Sequence, residues 1–106
     1  MNKKSGNVLS ETQMILCRLG ERIKMARIRR QMTVEEVAET ASISRTTLWS
    51  IEKGSPSVAI GAYASVLHTL DKMDTDLTLV ARDEILCDKI QSINLNSKIR
   101  KHNANC

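Results

Sequence analysis

The sequence predicts an all-α fold, and two observations predict it. Apolar residues recur at helical spacing along most of the chain, as Ile15, Leu16, Leu19, Ile23 and Ala26 do early on. Helix punctuation is explicit at the centre, where Thr33 precedes Glu36 by three residues and Ser44 opens a run closed by Gly54 and Pro56. With no Phe, one Tyr and one Trp, the core of such a fold must be built from Leu, Ile, Val, Ala and Met.

Residues 1–11 are polar, contain Gly6 and are expected to form a flexible arm. From about Thr12 the apolar positions just named give a first helix its core face, while Arg22, Lys24, Arg29 and Arg30 project elsewhere. Thr33 and Glu36 make a capping box: the hydroxyl accepts from an orphan amide of the first turn, and the carboxylate reaches back to the capping residue. Val37, Ala38 and Ala41 supply this second helix with a short apolar stripe. Ser42 and Ile43 read as a turn with Ile43 as its buried plug, and Ser44 as the cap of the next helix.

Steps of about 100° per residue sort the third helix into two faces. Leu48 and Ile51 fall on one side with Thr47 beside them; Arg45, Thr46, Trp49, Ser50 and Lys53 fall on the other. Gly54 is expected to end it in a left-handed conformation, and Pro56 discourages continuation. Ser57 is expected to cap a fourth helix running to about Leu70. Its apolar side holds Ala59, Tyr63, Val66, Leu67 and Leu70, with Gly61, Ser65 and a solvent-side His68 opposite. An acidic turn at residues 71–76 follows. Leu77, Leu79 and Val80 are compatible with a short helix or a strand. Ile85, Leu86, Ile90 and Ile93 return to helical spacing, and a tail with His102, Asn103 and Asn105 is expected to be disordered.

Charge is unevenly spread. Net charge is +4 overall; residues 1–54 hold ten Lys/Arg against six Asp/Glu, residues 71–88 two against six, and residues 89–106 four against none. The basic N-terminal half is suited to phosphates; the acidic middle suits a protein partner or is plain solvated surface. Cys17, Cys87 and Cys106 are odd in number and lack metal-ligand spacing, which suggests free thiols in a reducing compartment. No run is apolar enough for a membrane span or a signal core, so a cytoplasmic, nucleoid-associated location is expected. No Gly-rich phosphate loop, zinc spacing or nucleophile–base arrangement is present, so neither catalytic residues nor a metal or cofactor are expected.

Two short helices joined by a tight turn, the second outwardly lined with hydrogen-bonding groups, form the layout of a helix-turn-helix. In that motif the second helix lies in the major groove of DNA. A bland outer face would carry Glu and Lys; this one carries Arg, Thr, Ser and Trp, which suit base edges, thymine methyls and phosphates.

The residues 19–27, the Thr33 cap, Ala38, Ser44 and the closing Ile51-Glu52-Lys53-Gly54 resemble the λ-repressor-like (Cro/C1, XRE) helix-turn-helix family over residues 19–70. The resemblance implies a five-helix DNA-binding domain, at residues 12–70, with an extension at 71–98 for dimer and partner contacts and a tail at 99–106. It also implies an ion pair between Arg27 and Glu52 tying helices 1 and 3. Two departures stand out: Ser42 occupies a turn position where the family often has Gly, and Val34 replaces a phosphate-touching Gln. Residues 54–81 and 94–100 are further similar to HipB-type antitoxins. That similarity implies a homodimeric repressor of its own operon that also binds a HipA-like Ser/Thr kinase toxin; the alternatives are a stand-alone or phage-type repressor, or an interaction module without DNA binding.

On this reading the partner is double-stranded DNA bearing a palindromic operator. Arg45 is assigned to guanine, Thr46 and Ser50 to base edges or thymine methyls, and Thr47, Lys53 and Ser57 to the backbone. Trp49 is placed on a sugar or methyl, or else props the helix against its own domain.

Overall fold

In a computed structural model, residues 7–83 are described; the expectations for residues 1–6 and for the chain from 84 onward lie outside them. These described residues form five helices and no strand: α1 (Ser10–Arg29), α2 (Val34–Ala41), α3 (Arg45–Glu52), α4 (Ile60–Thr69) and a 3-10 helix (Met73–Leu79). The all-α expectation holds, and the ambiguous stretch around Leu77 resolves as helical.

The caps explain why two helices of only eight residues persist. Such helices are marginal on their own, so each end must be satisfied. At Thr33 the box closes both ways: Glu36 N–H donates to Thr33 Oγ1 at 3.0 Å and Thr33 N–H to Glu36 Oε1 at 2.8 Å. Ser44 Oγ accepts from Thr47 N–H at 3.0 Å. At the other ends Ser42 (φ 61°) and Gly54 (φ 79°) turn left-handed. Ile43 N–H then reaches back to Ala38 O, and Ser55 N–H to Ser50 O, the six-to-one bond of a Schellman end.

One core gathers all four α-helices. Ile23 and Ala26 of α1, Val37, Ala38 and Ala41 of α2, Leu48 and Ile51 of α3, and Tyr63, Val66 and Leu67 of α4 are buried together, with Leu70 just beyond. Leu48 and Ile51 are completely enclosed, each stabilising the fold by roughly 1.5–3 kcal/mol relative to exposure. Ile43 packs against this core, as the plug of the turn should. Arg30 Nη2 pairs with Asp71 Oδ2 at 2.7 Å, tying the end of α1 to the turn after α4. His68, exposed as expected, pairs with Asp74 at 3.2 Å across the same turn.

Four local expectations are corrected. Helix α1 begins at Ser10 rather than Thr12, and Ile15 is exposed rather than core. Over these first turns Gln13 and Cys17 face the end of α3, and Ile15 points almost opposite to them. Ser57 does not cap α4: that helix starts at Ile60, after an Ala59 N-cap with no side-chain bond. Ser57 is instead drawn into a turn, its N–H donated to Ser55 Oγ at 3.2 Å, while Tyr63 Oη donates to Ser55 O at 2.6 Å. Ala59 is exposed and its expected core place is taken by Val58, which packs against the core one residue earlier.

Candidate nucleic-acid interface

The site is built on α3, which α1 and α2 hold from two sides. Because Leu48 and Ile51 are anchored in the core, the rest of the helix has no rotational freedom. Arg45, Thr46, Trp49 and Lys53 are exposed on its outer face, and Ser50 is half-buried between them. Thr47 is half-buried at the edge, its Oγ1 accepting from the Ser44 hydroxyl at 2.9 Å. The exposed Trp49 carries the Lys53 ammonium 5.3 Å from its ring centroid, a cation–π contact one turn apart. Trp49 is 61% exposed and, with Cys17, Glu21 and Lys24 of α1, lines a pocket beside α3. Ser57 is exposed on the loop between Gly54 and α4, two residues before the Ala59 N-cap.

The C-terminal end of α3 is locked to α1. Arg27 Nε donates to Glu52 Oε2 at 2.7 Å and Nη2 to Oε1 at 3.2 Å, a two-pronged pair with side chains only 12% and 9% exposed. Arg27 Nη1 also donates to Met32 O at 3.1 Å. Hydrogen bonding with Glu52, outweighing the opposing desolvation, holds the Arg27 pKa above its already high ordinary value. Such a pair is geometrically specific and costly to break from one side.

Backbone-to-backbone packing completes the lock. A Cβ on Gly20 would lie 2.5 Å from Ile51 O and 2.7 Å from Glu52 O, and one on Gly54 would lie 2.6 Å from Cys17 Cα. Only glycine allows α1 to cross so close. Gln13 Nε2 then donates to Gly54 O at 2.9 Å and Cys17 Sγ to Lys53 O at 3.7 Å, satisfying carbonyls at the helix end. The sequence assigns no part in this crossing to Gln13, to Cys17, which reads only as a free thiol, or to Gly20, which reads only as part of the 19–27 segment; the spacing of 13, 17 and 20 on one helical face is the signal for it.

The N-terminal end of α3 is held loosely. Arg45 Nη1 lies 3.0 Å from Glu35 Oε2, with side chains 68% and 63% exposed. The Glu35 carboxyl is held below its ordinary pKa chiefly by its own backbone amide, in the first turn of α2, and then by Arg45. Glu35 was also missed from sequence, because it belongs to a different helix from the residue it touches.

No group of three or more His, Cys, Asp or Glu among the described residues is placed to hold a metal ion. No described helix is long and apolar enough to cross a membrane. No curated protein matches the chain. Residues 18–79 match the family described as a helix-turn-helix domain, a match that contains α2, the Ser42–Ile43 turn and α3 and covers more than half of the chain. The chain belongs to this helix-turn-helix domain family, whose members are typically DNA-binding regulators rather than enzymes.

Proposed function

We propose that the protein is a sequence-specific repressor that inserts α3 into the major groove of double-stranded DNA. The observation that carries this reading is the division of α3 itself: Leu48 and Ile51 fully enclosed, Arg45, Thr46, Trp49 and Lys53 facing solvent. Arg45 reads guanine, Thr46 and Ser50 meet base edges or thymine methyls, and Thr47, Trp49, Lys53 and the Ser57 hydroxyl meet sugar and phosphate. The Arg27–Glu52 pair sets the angle at which α3 leaves the domain.

A palindromic operator requires a two-fold dimer with recognition helices about 34 Å apart. An open groove of about 830 Å³ between α1 and the 3-10 helix, floored by Ile23, Leu67 and Leu77, supports a second copy as the dimer partner. Met25 and Val80 line it and are exposed. On this division residues 12–70 bind DNA and 71–98 supply dimer and partner contacts. A small core benefits from such association.

The resemblance of residues 54–81 and 94–100 to HipB-type antitoxins supports a second partner, a HipA-like Ser/Thr kinase toxin, with the protein repressing the operon that encodes both. Co-purification with a kinase separates this from a stand-alone repressor. The DNA reading is tested by a gel shift on duplexes selected from a random pool. Binding should weaken steeply between 50 and 200 mM salt, by about 10³-fold if some six phosphates are contacted; selection of no sequence would leave only an interaction module.

A further inference from the structure

We propose that Glu35, on α2, is a specificity-determining residue: it holds the Arg45 guanidinium so that one edge of it is presented to a single base pair. This rests on the reading of α3 as the DNA-reading helix, and it adds a residue from outside that helix.

Three observations carry it. First, Arg45 occupies the first position of an eight-residue helix that has no acidic residue in its first turn. A cation there meets the positive end of the helix dipole, so its placement does not serve the helix. The compensating charge comes from Glu35 across the turn, at 3.0 Å. Second, Glu35 is itself fixed. Its backbone lies in the first turn of α2, two residues after the Thr33 cap that starts the helix. Thr33 is locked in turn by the reciprocal bonds with Glu36. The short carboxylate therefore hangs from a fixed turn, and the longer arginine is the one it restrains. Third, the contact uses Nη1. Guanidinium carries its five N–H groups in a rigid fork, so the edge made of Nη2 and Nε keeps the geometry that pairs with guanine O6 and N7.

An exposed ion pair adds almost nothing to folding stability, which argues against a structural purpose for this one. Its effect belongs to binding. Restraining Arg45 before DNA arrives reduces the side-chain freedom lost on binding. A carboxylate beside the guanidinium also disfavours the use of Arg45 as a generic phosphate contact, because it would approach the same phosphate. Both effects favour one base over the other three.

The test uses the full chain and measures affinity for the selected operator, for operators changed at each position, and for a scrambled duplex. Wild type, E35Q, E35A, R45A and the E35A/R45A double variant are compared, with melting temperatures to confirm that each folds. R45A should lose the preference for one base pair per half-site, about tenfold. E35Q and E35A should lose most of that same preference while binding the scrambled duplex as tightly as wild type or more tightly. The double variant should be no less selective than R45A alone. If E35Q and E35A tighten binding to every duplex equally and keep the preference, Glu35 merely repels phosphate and the proposal is overturned. If wild type prefers no sequence, the DNA reading fails and the proposal with it, an outcome distinct from the previous one.

Discussion

The two ends of α3 are held by ion pairs of opposite character. At its C-terminal end Arg27 and Glu52 meet through two hydrogen bonds, nearly sealed from water and surrounded by the close crossing at Gly20 and Gly54. At its N-terminal end Arg45 and Glu35 meet through one contact, both largely in solvent. A desolvated pair with two-pronged geometry is part of the scaffold; a wet one adds little to folding and leaves the other edge of its guanidinium open to a ligand. One helix thus has an anchored end that defines its direction and an open end whose charge is available to a ligand.

Breaking the anchored end should have the largest effects. Gly20→Ala puts a methyl into two backbone carbonyls and should destabilise the domain by about 3 kcal/mol, read by urea unfolding. Glu52→Ala leaves Arg27 nearly enclosed without its partner and should cost about 2–3 kcal/mol, somewhat less than for a fully buried pair. A double-mutant cycle with Arg27→Ala should recover much of that loss, because the stranded charge disappears as well.

The turn between α2 and α3 sharpens the contrast at smaller magnitude. Ser44→Ala removes the acceptor for Thr47 N–H and should cost about 1 kcal/mol. Ser42→Gly relieves a side chain held at φ 61° and should stabilise by up to about 1 kcal/mol. A melting curve on each variant shows both.

The smallest effect belongs to the open end and appears with pH. The Glu35 carboxyl is depressed by a backbone amide and by Arg45, so its contribution is present above the ordinary carboxylate range and is lost as pH falls through the lowered value. Carboxyl-carbon titration by NMR should find Glu35 ionised below the usual Glu range. In Arg45→Ala that midpoint should rise part of the way back, since the amide remains.

What was legible in the sequence follows a physical division. The Thr33–Glu36 box, the Ser44 cap and the left-handed Gly54 depend on bonds within a few residues, and each is found where the local pattern put it. That Leu48 and Ile51 share one face, the face the fold encloses, follows from helical periodicity. Ile15 shows the limit of that rule: periodicity states which residues share a face, not whether anything packs against it. Ser57 shows another, since a hydroxyl before a helix is also able to bond within its own turn, and here the Ser55 hydroxyl draws it there. The Glu35–Arg45 contact and the Gly20–α3 crossing join residues on different helices, and no single-helix pattern encodes them.

Methylation interference on the selected operator tests the central claim most directly, since N7 of guanine lies in the major groove and N3 of adenine in the minor groove. Methylating one guanine N7 in each half-site should block the wild-type protein, and Arg45→Ala should be indifferent to that mark. Interference confined to adenine N3, or an N7 pattern unchanged in Arg45→Ala, would contradict the account of α3 as the element that reads the groove.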